Sequence, residues 1–173
     1  IMKILIVEDE KMLANSISKI LEKKNFETDV VEVEFDYNHR LRRFSAAHSK
    51  LRYLDYYIYT RLKSVDLAGS DVYWFSPEEL PELYYLNTSR SNVTKLDISN
   101  NPYMLKKENT FYVGDNKNSS VVTVTATKEQ KDFFDNSVIK TDSQNSNVKF
   151  VVVDKNVLHD YYCGVLPDCI DFS

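Results

Sequence analysis

Two neighbouring carboxylates, Glu8 and Asp9, directly follow the apolar run 3–7 and are the clearest candidate for metal chemistry in the chain. Clustered carboxylates repel one another, and a hard cation such as Mg²⁺ relieves that repulsion by binding their oxygens. The alternative is an acidic turn ahead of a helix, where the helix dipole stabilises negative charge. The two residues by themselves leave both interpretations open.

The other reactive side chains do not form a catalytic pattern. The sequence has no nucleophile motif, glycine-rich phosphate loop or zinc-ligand spacing, and its 3 histidines are scattered. His159 and Cys163 are four residues apart but lack further metal ligands, and the loop 115–119 lacks the acids of a calcium-binding loop. The sequence therefore predicts a protein that is not an enzyme and needs no cofactor.

Composition favours a globular domain with a protein partner. A chain of 173 residues with 43% hydrophobic and 28% charged residues can bury a substantial core. The net charge of −4 gives no general attraction to nucleic acid, and no apolar run approaches the roughly 20 residues that span a bilayer. The 12 tyrosines are residues that often serve at binding surfaces.

The N-terminal residues predict a βαβ unit. The apolar run 3–7 is typical of a buried parallel strand, residues 11–24 have a helical apolar stripe, and 27–33 form a second strand. The stripe consists of Leu13, Ile17, Ile20 and Leu21.

Residues 2–31, MKILIVEDEKMLANSISKILEKKNFETDVV, closely resemble the start of the receiver domain of bacterial response regulators. The resemblance implies that Glu8 and Asp9 hold Mg²⁺ beside a phosphate-accepting aspartate. Asp55, which ends the segment LRYLD, is the candidate acceptor. This interpretation places the protein in the cytoplasm, in a two-component phosphorelay.

A second pattern repeats every 21 residues through the middle of the chain. The spacing L-x-x-L-x-L-x-x-N/C-x-L recurs, with substitutions, in units that begin at Leu41, Leu62 and Leu83. We predict parallel strands at 43–46, 64–67 and 85–88, with the leucine columns pointing into the core. Serines recur at one position and, with Asn101, are expected to bond turn backbone: Ser49, Ser70 and Ser91.

These units resemble the repeats of bacterial internalin-like leucine-rich-repeat proteins, best in the segment 83–102, LYYLNTSRSNVTKLDISNNP. The resemblance implies a short solenoid over residues 32–103, between an N-terminal element (1–31) and a C-terminal cap and tail (104–173). It also implies a surface or secreted location. The expected binding residues lie on the strand face and the half-repeat turns: Arg43, Tyr53, Tyr57, Asp66, Tyr73, Trp74, Tyr85 and Asn87.

The C-terminal third predicts a β-rich cap. Strands are expected at 111–113, 121–127 and 149–153, and Thr127 is a suitable N-cap for a short helix. Cys163 and Cys169 in the tail form either a small disulfide loop or two free thiols.

The predicted fold is therefore α/β: a leucine-rich-repeat solenoid with parallel strands, an N-terminal receiver-like βαβ element and a β-rich cap. The predicted function is non-enzymatic protein binding. The alternative is a diverged or incomplete response-regulator receiver domain, and only that alternative requires Mg²⁺.

Overall fold

A computed structural model describes residues 3–35, 41–52 and 61–154, and for residues 34–35 it describes the backbone alone. The described residues form a mixed α/β fold with nine strands in two sheets and two helices. The strands of both sheets pair mostly in parallel, as the sequence predicts.

The predicted βαβ unit is present. It comprises β1 (Lys3–Glu8), α1 (Lys11–Glu22) and β2 (Glu27–Phe35). β1 and β2 pair in parallel, and α1 packs against both strands. The helix ends two residues before the predicted position. Asn25 follows with a φ of 62°, and its N–H donates to Glu22 O at 2.9 Å.

The prediction of a buried first strand is wrong. β1 lies at the edge of its sheet, with β2 as its only neighbour among the described strands. Ile6 is 7% exposed, whereas Leu5 and Val7 are 56% and 58% exposed. Alternate side chains of a strand point to opposite faces, and α1 covers only one of them. An apolar run does not distinguish a central strand from an edge strand that is covered on one side.

The predicted apolar stripe of α1 is also only partly buried. Ala14 is fully buried, and Ile17 and Leu21 are half-buried. Leu13 and Ile20 are 44% and 61% exposed. α1 packs mainly on β1 and β2, and these two strands cover a narrower strip of the helix than the apolar pattern indicates.

The remaining strands, in chain order, are β3 (Leu41–Ser45), β4 (Ser64–Asp66), β5 (Tyr85–Asn87), β6 (Lys95–Asp97), β7 (Phe111–Tyr112), β8 (Val122–Thr127) and β9 (Val148–Val153). One sheet has the order β1-β2-β3-β4-β5-β7, and the other has the order β6-β8-β9. β2 pairs with β3 in antiparallel fashion, with Glu32 opposite Ser45, and the other pairs are parallel. The boundary that the sequence suggests between residues 31 and 32 falls within β2.

The 21-residue spacing of the sequence appears as strand register. Phe44 lies opposite Val65, and Val65 lies opposite Leu86. Inward side chains of this kind form the core: Leu62, Val65, Leu83 and Leu86 are each 0% exposed. Val65 and Leu86 share a face because directly paired residues of neighbouring strands point to the same side of a sheet, whereas Leu62 and Leu83 lie just before β4 and β5.

The serine column bonds turn backbone as predicted. Ser70 Oγ donates to Leu67 O at 2.7 Å and accepts the Val72 N–H at 3.4 Å. Ser91 Oγ makes the equivalent bonds to Thr88 O at 2.6 Å and from Val93 N–H at 3.2 Å. These hydroxyls pair backbone groups that no strand neighbour reaches.

A left-handed residue follows each repeat strand. His48, Gly69 and Arg90 have φ values of 60°, 66° and 58° and stand 21 residues apart. The His48 N–H donates to Ala68 O at 2.7 Å, so successive turns are hydrogen-bonded to one another. Of these three residues, only Gly69 is of a type that predicts a left-handed conformation from the sequence.

The C-terminal residues extend both sheets. β7 pairs with β5, with Phe111 opposite Leu86, and β8 pairs with β6, with Val124 opposite Leu96. α2 (Lys128–Asn136) begins at the predicted N-cap, Thr127, whose side chain accepts the Gln130 N–H. Short 3₁₀ turns follow α2 at Val138–Thr141 and Ser143–Asn145. The tail beyond residue 154, with its two cysteines, lies outside the described residues.

Candidate binding surfaces

A groove lies on the outward face of the repeat strands. Because Phe44, Val65 and Leu86 point inward, their strand neighbours point outward, toward a groove of about 620 Å³. Residues of α1 form part of its lining. We call this feature the outer groove, and its lining consists of Lys11, Asn15, Val30, Glu32, Arg43, Ser45, Ala47, His48, Ser64, Asp66, Tyr84 and Tyr85.

The outer groove carries charges of both signs. Lys11 Nζ lies 3.0 Å from Glu32 Oε1, which ties the first turn of α1 to β2. Burial raises the pKa of the Asp66 carboxyl, and nearby Glu32 raises it further. The Ala68 N–H, which donates to Asp66 Oδ1 at 3.0 Å, and the charge of His48 oppose this rise in pKa.

Tyr85 supplies the half-buried aromatic group of the outer groove. Burial raises the pKa of its hydroxyl, and the negative charge of Asp66 raises it again. Tyr85 therefore remains a neutral phenol at physiological pH, with an O–H that can donate a hydrogen bond and a ring that can contact an apolar group.

Two of the predicted binding residues also shape the turns. Asp66 Oδ1 accepts the Ala68 N–H, and Asn87 Oδ1 accepts the Ser89 N–H at 3.1 Å and the Ser89 Oγ–H at 2.8 Å. Asn87 is only 8% exposed. The signal in the sequence is an Asp or Asn at the strand end with a small residue two positions later, which is an Asx turn.

The structure does not bring all of the predicted binding residues together. Arg43, Asp66 and Tyr85 line the outer groove, and Asn87 lies at the end of β5 beside it. Tyr73 and Trp74 are 61% and 41% exposed but belong to the other half of their repeat and do not line the groove. The predicted residues Tyr53, Tyr57 and the candidate acceptor Asp55 lie outside the described residues.

Sequence reasoning missed a second surface, a pocket of about 460 Å³ that we call the basic pocket. It combines residues that directly precede β4 and β5 with the loop that precedes β7. The lining consists of Lys63, Glu82, Tyr84, Tyr103, Lys106, Lys107 and Thr110. The excess of Lys and Arg over acids in residues 41–64 is the only sequence signal for it, and that signal does not identify the loop 103–110.

Glu8 and Asp9 lie at the carboxyl end of β1. Glu8 Oε1 accepts the Asp9 N–H at 3.1 Å and the Glu10 N–H at 3.2 Å, so this carboxylate oxygen already stabilises its own turn. Within the described ranges, no group of three or more His, Cys, Asp or Glu side chains is placed to hold a metal ion. The pair thus supplies two carboxylates, one of them partly engaged, and the third acid of the receiver interpretation is Asp55.

No helix in the described part of the chain is long and apolar enough to cross a membrane. Comparisons of the chain with protein-family models, with curated proteins and with solved structures find no match.

Proposed function

We propose that this chain is a non-enzymatic protein-binding module, built on a short leucine-rich-repeat solenoid over residues 32–103. The observation that carries the proposal is the 21-residue register of β3, β4 and β5, which places Arg43, Ser64 and Tyr85 side by side in the outer groove. A rigid row of this kind presents arginine and tyrosine together, and these residues commonly anchor protein interfaces.

The charges of the outer groove favour a polypeptide ligand over a simple polyanion. Lys11 and Arg43 contribute positive charge, whereas Glu32 and Asp66 contribute negative charge within the same lining. An extended protein segment carries side chains of both signs and backbone donors and acceptors, so it can complement such a surface. Electrostatic complementarity then provides specificity, while the rigid strands limit the entropy that binding costs.

The test uses a photo-crosslinking residue at position 85, compared with the same residue at position 73. Tyr73 is exposed and lies outside the outer groove, so it is a matched control. We expect a discrete protein adduct from position 85 alone when the chain is exposed to an extract of its source cells. The adduct protein is then purified, and its affinity is measured for the Arg43→Ala, Tyr85→Ala and Tyr73→Ala variants.

Anchoring by the outer groove predicts a loss of roughly tenfold or more in affinity for Arg43→Ala and Tyr85→Ala, and little change for Tyr73→Ala. Equal crosslinking at positions 85 and 73, or binding that survives both groove substitutions, would refute the outer groove as the binding site.

The β1–α1–β2 unit supports the alternative proposal, a diverged or incomplete receiver domain. That alternative predicts that a small phosphodonor with Mg²⁺ labels Asp55 and that Asp55→Asn abolishes the labelling. Our preferred proposal predicts that neither the unchanged protein nor the Asp55→Asn variant is labelled.

A further inference from the structure

The basic pocket concentrates positive charge around one carboxylate. Its lining contributes three ammonium groups, from Lys63, Lys106 and Lys107, and the single carboxylate of Glu82. The carboxylate of Glu82 is shared among three cations: its oxygens lie 2.7 Å from Arg42, 3.5 Å from Arg61 and 3.9 Å from Lys63. One negative charge therefore offsets several positive ones, and Lys63 has the longest of the three contacts.

The two lysines of the loop differ in their partners. Lys106 Nζ pairs with Glu129, whose side chain is 74% exposed, so that ion pair is readily exchanged for another anion. No carboxylate of the described residues lies within ion-pair distance of Lys107. With respect to the described residues, the pocket thus presents one ammonium group that has no carboxylate partner and two that are weakly engaged.

The loop that carries these lysines is held in place. Thr110 is 9% exposed, and its Oγ1 donates to Lys107 O at 2.8 Å, which closes the turn. Next to it, Leu86 N–H donates to Thr110 O at 2.9 Å and attaches the loop to β5. The lysines therefore project from fixed backbone, which lowers the entropy lost when an anion binds.

Two tyrosine rings flank the cations. Tyr84 and Tyr103 line the basic pocket and are 39% and 59% exposed, so both rings have surface that a ligand can cover. An inorganic anion would use the ammonium groups alone. An anion attached to a ring would use the tyrosine rings as well, through stacking contacts.

We propose that the basic pocket binds a phosphate monoester carried on a ring of about monosaccharide or nucleoside size. The volume of the basic pocket, about 460 Å³, falls within the usual range for small-ligand pockets. A phosphate monoester near neutral pH carries between one and two negative charges and three terminal oxygens, so it can engage several lysines that approach from different directions. The ring lies against Tyr84 and Tyr103. This site is separate from the outer groove, although Tyr84 borders both.

The test measures affinity by isothermal titration calorimetry at low ionic strength, in a buffer free of phosphate. The probes are inorganic phosphate, ribose 5-phosphate, phenyl phosphate and adenosine monophosphate. We expect at least one of the ring phosphates to bind about tenfold more tightly than inorganic phosphate, because only a ring phosphate covers the tyrosines. The preferred ring distinguishes a sugar phosphate, an aryl phosphate and a nucleotide as the source.

Variants locate the site. The double change Lys106→Gln with Lys107→Gln is expected to weaken binding of the preferred probe by about tenfold, and Tyr103→Ser by about fivefold. Lys95→Gln and Tyr73→Ser are the matched controls, because both residues are exposed and lie outside the pocket. Circular dichroism verifies that each variant is folded.

Three results would overturn the proposal. They are no binding of any ring phosphate, inorganic phosphate that binds as tightly as the ring phosphates, and equal losses in the pocket variants and the control variants. Each result is independent of whether the outer groove binds a protein, because that site is tested by crosslinking at position 85.

Discussion

Asn101 provides the sharpest test of how successive repeats are held together. The side chain is 0% exposed, and its Nδ2 donates to Pro77 O and to Leu80 O, both at 2.8 Å. Those two carbonyls belong to the preceding repeat, so one amide bridges two repeats. Each carbonyl also accepts one backbone N–H, from Leu80 to Pro77 O at 2.9 Å and from Leu83 to Leu80 O at 3.0 Å. Asn101→Ala therefore removes the second donor of each carbonyl and, with it, the link between the repeats.

The size of the effect follows from the two lost hydrogen bonds. A hydrogen bond within a protein contributes about 0.5–1.5 kcal/mol to stability, and both carbonyls keep a backbone donor, so the two lost bonds cost about 1–3 kcal/mol. Asn101 Oδ1 itself has no hydrogen-bond partner among the described residues, so its removal returns part of that cost. We therefore expect a loss of about 1–2 kcal/mol in the free energy of unfolding, which is a measurable fraction of the roughly 5–15 kcal/mol typical of a domain.

The assay is urea denaturation, followed by circular dichroism and by the fluorescence of Trp74, the single tryptophan. With a slope of about 2 kcal/mol per molar urea, the midpoint should fall by about 0.5–1 M. Asn100→Ala is the matched control, because Asn100 is adjacent and exposed, and it should change stability by less than about 0.5 kcal/mol. Equal effects of the two substitutions would refute the bridging role of Asn101.

Three further substitutions test particular contacts. Burial raises the pKa of Asp66, so the folded state binds the proton more tightly than the unfolded state does. The stability that this proton contributes is present below the unfolded carboxyl pKa and is lost as the pH rises through the raised pKa of the folded state. Asp66→Asn keeps an oxygen for the turn and should raise stability at pH 7 but not near pH 3, as measured by urea denaturation at both values; a gain of equal size at both would contradict the role of ionisation. Gly69→Ala should cost about 1–3 kcal/mol, because φ is 66° and a Cβ would lie 2.6 Å from His48 Nδ1. Thermal denaturation should show that His48→Ala recovers the steric part of this loss, and no recovery would mean that backbone strain alone is responsible. Thr127→Ala should cost about 1 kcal/mol, because it removes the oxygen that accepts the Gln130 N–H at 3.3 Å, whereas Thr127→Ser should cost much less in the same assay.

Local patterns predicted the repeat strands and the N-cap of α2. The positions of β4 and β5, the buried leucines and the bonds of the serine column follow from a 21-residue period. The N-cap at Thr127 follows from the residue type and from Gln130 three positions later. These features recur at a fixed spacing or depend on residues a few positions apart, so the sequence is enough to predict them.

The continuation of both sheets was not predictable in the same way. Phe111 lies opposite Leu86 at a separation of 25 residues, and Val124 lies opposite Leu96 at a separation of 28. Because the spacing is no longer 21, the repeat pattern does not indicate that β7 and β8 extend the earlier strands. The sequence predicted strands here but not their neighbours.

Within the repeats, the residue pattern was enough to predict which side chains point inward and which bond the turns, since those properties need only apolar or hydroxyl side chains at fixed spacing. The tertiary structure alone decided that β2 pairs with β3 in antiparallel fashion and that α1 lines the outward face of the sheet. It also decided that Lys63, Tyr84 and Lys107 share one pocket. Contacts between distant segments depend on the strand order and on the length of each connection, and neither is encoded in a local pattern.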